Sequence, residues 1–414
     1  MTVLRRAQKR LGGFGCCALI WLCGIAAALP ASAREQLPPA NLMPWAATPP
    51  AGSAHSMLNA ADFAGYVPER RIAVLRFDEI GDPRQRHAGE LRQIVERQLG
   101  RSLPDDSAAE TELRAQAIAA YEDYGGAYVR EFADGSQYCV AAVWRPIGGD
   151  GRILAALAGG APMGGGLRPD FVIPEDGIQR FLAYHEIGGH CADRALQPAT
   201  GSDFTSRAAY EHSLAELRAD IVATLATARD DGNTVVAQMM LELRRAYSLQ
   251  AAIAPSCDKA INYGAIYRTG PGIAAAMVWA ESALAPGAAR ASTLGGMSTT
   301  AMLAAADRIF AAVRPSYDAF LEFERRIDLA KALIGSPDPF DLAGKGPSLD
   351  VLSVSDRLWL GNGIDAMRRI FTLPEVRVVD LGATLHCHPG AALARRMPGG
   401  MRDGHRPSLG GLGG

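Results

Sequence analysis

Residues 181–190 read FLAYHEIGGH, and everything else in the chain is placed by how that stretch is folded. His185 and His190 stand five positions apart, with Glu186 directly after the first. In an α-helix, side chains four apart nearly eclipse, whereas those five apart diverge by about 140°. A regular helix would therefore splay the two rings. A π-turn absorbs one extra residue and returns both rings to one side, and such turns occur mostly at functional sites. Gly188-Gly189 marks where it is expected. Each glycine costs a helix about 1 kcal/mol relative to alanine, so the pair calls for either backbone freedom or the close approach of another element. Ile178, Phe181 and Leu182 keep one side of this helix buried.

Two histidines make an incomplete tetrahedral site, because zinc in hydrolytic enzymes usually takes three protein ligands and a water. The segment AAYEHSLAELRADIVATLAT (208–227) offers the remainder. His212, Glu216 and Asp220 fall on one stripe of a helix that is otherwise Ala, Leu and Ile. Such groups are costly there unless paired or bound to a cation. Glu216 is the expected third ligand, with His212 as its rival. Asp220 is placed to accept a ring N–H from one of the histidines. Glu186, beside the first ligand, has the position of a general base. Cys191 follows His190 directly, so a thiolate ligand competes with a disulfide or a buried thiol. The residue after a ligand points away from the same helical face, which favours the latter pair.

The two motifs HEIGGH and AELRAD resemble the signatures of the dipeptidyl peptidase III family of zinc metallopeptidases, HExxGH followed by EExRAE or EExRAD. The resemblance implies a peptidase with His185, His190 and Glu216 as ligands of one zinc ion, Glu186 as general base and Asp220 as the supporting acid. Gly189, Arg218 and Ala219 agree with the family pattern, whereas Ala215 departs from it where a first Glu is usual. The match spans His185 to Asp220, and the chain is shorter than typical members.

The opening MTVLRRAQKR is basic, an apolar run follows, and Ala31-Ser32-Ala33 closes it, the pattern of a secretory signal peptide (1–33) cut after Ala33. A periplasmic or secreted protein is expected, with no membrane span once the leader is removed. The formal charge is −2 for the whole chain, and about −6 without the four basic groups of the leader, which argues against nucleic acid as a partner. The arginines are scattered among acids and read as solvated surface. Cys139, Cys191, Cys257 and Cys387 lie outside the leader, leaving three possible pairings if all four form disulfides.

With 414 residues and 48% hydrophobic side chains, the chain can bury a sizeable core. Residues 34–54 form a Pro/Ala-rich lead-in, 55–170 an N-terminal α/β portion, 171–388 a helical zinc-binding peptidase domain, and 389–414 a disordered tail. Strands are expected at 70–77, 136–144, 152–158 and 376–385. Helices are expected at 83–100, at 105–132 with a break at Gly125-Gly126, and at 178–195, 205–228, 233–254, 258–268, 271–285, 298–313, 316–334 and 348–372. The class is mainly α with a minor β component (α+β), with a cleft between a helical zinc-peptidase lobe and the smaller N-terminal portion.

The function these readings converge on is an exported zinc-dependent metallopeptidase that hydrolyses oligopeptides. Alternatives are a zinc-dependent amide hydrolase acting on cell-wall peptides and a zinc-stabilised binding protein without catalysis, which would have no use for Glu186. Tyr263, Tyr267 and the His386/His388 pair are candidate donors to a developing oxyanion, each without positional support.

Overall fold

The computed structural model describes residues 60–104, 107–122, 124–146, 168, 175–194, 206–253, 263–285, 294–334 and 350–371. The leader, the lead-in, the tail, the expected strands at 152–158 and 376–385, Cys257, Cys387 and the His386/His388 pair lie outside them.

In chain order the elements are α1 (Ala60–Ala64), β1 (Arg70–Arg76), α2 (Phe77–Ile80), α3 (Ala88–Leu99), α4 (Ser107–Glu122), β2 (Gly126–Glu131), β3 (Gln137–Val143), α5 (Glu175–Tyr184), a π-helical segment (His185–Cys191), α6 (Ser206–Asp231), α7 (Val235–Ile253), α8 (Tyr263–Ile266), α9 (Gly270–Leu284), α10 (Thr299–Val313), α11 (Tyr317–Ile334) and α12 (Val354–Ile370). Helix dominates and the strands form one small sheet, so the mainly-α class with a minor β component is what the chain adopts.

The sheet has the order β1-β3-β2, with β1 parallel and β2 antiparallel to β3. Period-two alternation sends its residues to two different cores. Ile72, Val129, Cys139, Ala141 and Val143 join the large core shared with the helices that follow. Ala73, Leu75, Tyr128, Val140 and Ala142 pack under α3 and α4. Burial on both faces explains why β3 reads as the unbroken apolar run CVAAV rather than as an alternating one.

One expected element is corrected. The chain from 105 to 132 is not an interrupted helix: α4 ends at Glu122, and after Gly125 the residues GAYVRE form β2. The apolar, β-branched and aromatic content of that stretch suits a strand, and a tight turn follows. Gly135 sits there at φ +79°, where its N–H donates to the Phe132 carbonyl (2.9 Å) and folds β2 back onto β3. Two helix starts also move by five residues or more. The helix expected from 83 begins at Ala88 after a 3-10 turn over Pro83–Gln85, and the one expected from 348 begins at Val354, where Ser353 and Asp356 form a capping box.

Helix α6 is the axis of the helical part. It is buried without interruption from Glu216 to Ala228, and α5, the π-segment, α7, α9 and α10 all pack on it. A helix enclosed on every side shows no single apolar stripe, which is why Ala, Thr and Val fill most of its turns. Among the described residues no helix is long and apolar enough to cross a membrane.

Candidate metal centre

The sequence HEIGGHC adopts the π-helix its spacing calls for, running from His185 to Cys191 as the continuation of α5. The two imidazoles meet on one side, ring centroids 4.8 Å apart and planes at 80°. The glycines are there for close approach. A Cβ on Gly189 would overlap the backbone of Ala219 on α6, and one on Gly188 would lie 2.5 Å from the Phe63 ring and 2.9 Å from Val222. Helix α6 can therefore lie against the turn and deliver Glu216.

His185, His190 and Glu216 form a buried group whose ligand atoms all lie within 4.8 Å of one another, a group that can hold a metal ion. The separations are 3.2 Å between the two Nε2 atoms, 3.4 Å from His185 Nε2 to Glu216 Oε2 and 3.5 Å from His190 Nε2 to Glu216 Oε1. A tetrahedral ion with bonds of about 2.0–2.1 Å needs donor atoms about 3.3–3.4 Å apart, so the set is already at the right spacing.

Asp220 supports the site as its position one turn after Glu216 suggests. Its Oδ1 accepts from His185 Nδ1 at 2.8 Å, which leaves the Nε2 lone pair for the shared point. Arg244 donates to both Asp220 oxygens (2.9 and 3.1 Å) and Thr269 donates to Oδ2 (2.5 Å), so all the acid's close partners are hydrogen-bond donors.

The electrostatics separate the two glutamates. Burial raises Glu216, but the hydrogen bonds and charges of His185 and His190 outweigh it and hold the carboxyl well below the usual range. Burial likewise raises Glu186, and here the neighbouring histidines do not reverse it. Glu186 packs with its Oε1 against Gly125 just before β2, where an added Cβ would come within 3.2 Å, and its buried Oε2 has no hydrogen-bond partner among the described residues. His185 is the reverse case. Burial would lower it, but Asp220 and Glu216 raise it to about 10 when no ion is present.

His212 stands beside the triad without belonging to it. Its Nε2 is 3.5 Å from Glu216 Oε1, and its side chain, 24% exposed, is the most accessible of these groups. It packs edge-on against Tyr267, which also lies under the Arg244 guanidinium. Cys191 is not a ligand, because its sulfur is bonded to Cys139 of β3 across a Cα separation of 5.5 Å.

The arginines correct an expectation. Arg70, Arg218 and Arg244 are buried and serve the site instead of forming solvated surface. Two adjacent arginines in the apolar helix sequence LELRRAYSL are the one sequence signal that points to Arg244; Thr269 leaves none. No protein-family model, curated protein or solved structure matches the chain.

Proposed function

We propose that the protein is a zinc-dependent peptidase related to the dipeptidyl peptidase III family, exported from the cell and acting on oligopeptides. The observation that carries this is the buried Glu186 Oε2, without a hydrogen-bond partner among the described residues, beside a preformed His-His-Glu triad. A buried carboxylate oxygen without a hydrogen-bond partner calls for an explanation, and beside a candidate metal triad a reaction or a bound group supplies one. The Cys139–Cys191 disulfide supports an oxidising compartment.

His185 and His190 would hold the zinc through Nε2 and Glu216 through its carboxylate, and the ion would supply a water acidified to near neutrality and a Lewis acid for the scissile carbonyl. Asp220 keeps His185 in the tautomer that can bind. Glu186 accepts the proton of the attacking water and passes it to the leaving amine, a role that suits a carboxyl whose pKa burial has raised. His212, the most accessible of the neighbouring groups, is the candidate we assign to donate a ring N–H to the carbonyl oxygen as charge develops on it.

Glu186→Gln is expected to retain zinc while hydrolysis of a peptide panel falls about 10²- to 10⁴-fold, whereas Glu216→Ala loses both. Zinc by elemental analysis, with activity measured before and after chelation, separates the two. Equal zinc loss in both variants would make Glu186 a ligand, and full activity in the Gln variant would remove the general-base mechanism. A second reading has one observation in its favour: His185, His190 and Glu216 are all buried, as the ligands of a purely structural ion would be. Under it zinc is retained, the panel is not cleaved and Glu186→Gln changes nothing.

A further inference from the structure

A π-turn that ends inside the protein has an unsolved problem: its last carbonyls find no N–H further along their own helix. In this chain only part of the demand is met locally, by Ala192 N–H to the Ile187 carbonyl (3.1 Å) and Asp193 N–H to the His190 carbonyl (3.0 Å). The rest falls to two buried guanidinium groups from distant elements. Arg218 of α6 donates to the carbonyls of Gly189 (2.7 Å), Ala192 (3.3 Å) and Gly188 (3.4 Å). Arg70 of β1 donates to those of Cys191 (3.0 Å) and Asp193 (2.7 Å).

The two are not equivalent. Arg218 lies between the ligand Glu216 and its neighbour Asp220 in sequence, yet points elsewhere. With about 100° between successive residues, Ala219 faces Gly189, while Glu216 and Arg218 lie to either side of it. One helix thus reaches the imidazoles with one side chain and the carbonyls of the same turn with another. Arg218 is itself held from the far side, its Nε donating to Asp307 Oδ1 of α10 at 2.9 Å, while Tyr66 donates its hydroxyl to the other oxygen of Asp307.

We propose that Arg218 is a positioning residue for the metal centre: by collecting the carbonyls of Gly188, Gly189 and Ala192, it holds the π-turn in the one register that aims His190 at His185 and Glu216, with Asp307 as its anchor. The inference rests on the triad holding an ion. It assigns a purpose to the arginine of AELRAD that ligand chemistry alone does not require. Lysine cannot replace it, since an ammonium lacks the planar fork that spans several carbonyls and a carboxylate together.

The test uses the mature protein with Arg218→Lys, Asp307→Asn and a control, Arg326→Lys, which weakens another close arginine–carboxylate pair, the 2.6 Å one to Asp356 far along the chain. Zinc affinity is measured by chelator competition, the visible absorption of the cobalt(II) form is recorded, and amide hydrogen exchange over residues 185–194 is followed in metal-free protein. Arg218→Lys is expected to weaken zinc about 10- to 100-fold, change the cobalt bands and speed exchange. Asp307→Asn should do the same to a smaller degree, and Arg326→Lys should lower only the melting temperature. Wild-type affinity, cobalt spectrum and exchange in Arg218→Lys would overturn the inference. If the wild type takes up neither zinc nor cobalt, the metal reading itself falls, and exchange alone then decides: faster in Arg218→Lys than in Arg326→Lys upholds the clamp, and equal rates remove it.

Discussion

Asp220 and Asp356 are the two fully buried aspartates among the described residues, and they are buried for different reasons. Asp356 lies in the first turn of α12. Its Oδ2 accepts from the hydroxyl and backbone N–H of Ser353, three residues earlier, and from Arg326 (2.6 Å). Most of that is a helix cap, needed because the first N–H groups of any helix lack partners. Asp220 lies in the middle of a 26-residue helix, where no backbone group needs it. Its partners come from three other places: the π-segment, α7 and the residue before α9. The acid at the helix start takes part of its hydrogen bonding from its own helix, with Arg326 and, at 3.7 Å, Arg268 adding charge from elsewhere, whereas the side chain of the one at mid-helix has only distant partners. Among these is His185, whose tautomer Asp220 fixes.

Four measurements press on this contrast. The largest effect is proton linkage. In metal-free protein His185 is raised from 6.5 to about 10, so its protonated form contributes stability that is complete below about pH 6.5 and is lost as pH rises through about 10. Zinc bound at the triad, as proposed, would have to displace that proton. Its affinity should therefore climb about tenfold per unit between about pH 7 and pH 9, while the stability of the metal-free protein declines. A flat affinity profile would mean that His185 carries no proton for the ion to displace.

Next in size, Asp220→Asn should weaken zinc about 10- to 100-fold in a chelator competition. Wild-type affinity would reduce the acid to a packing role and erase its difference from Asp356. Thr269→Val removes one neutral donor to the same carboxylate, and an affinity loss of about three- to tenfold is expected. Smallest at the metal is Asp356→Asn, which should leave zinc binding unchanged yet lower stability by about 1–3 kcal/mol in chemical denaturation. Any change in zinc affinity there would show that the two networks are coupled.

Much of the site can be read from local spacing. The i, i+5 histidines demand a π-turn, Gly188-Gly189 locates it, and the i, i+4 pair Glu216 and Asp220 supplies a third donor and its support from one helix face. All of this depends on the geometry of one helix at a time. The long helical elements and strands β1 and β3 are legible for the same reason, since their hydrophobic periods repeat over many residues. β2 is not legible in the same way, because it is short, follows closely on a helix and takes its strand character from pairing with β3.

The sequence by itself determined which residues can meet a metal ion, because ligand identity and angular spacing along a helix are local properties. Only the tertiary structure decided what makes that meeting hold. It chose Cys139 as the partner of Cys191, brought Arg244 and Thr269 to Asp220, and set Arg70 and Arg218 under the carbonyls of the turn. These partners lie 24 to 123 positions from the groups they serve. No periodicity links them. They are selected by the requirement that every buried polar group find a complement, which is settled only when the sheet and the helices share one core.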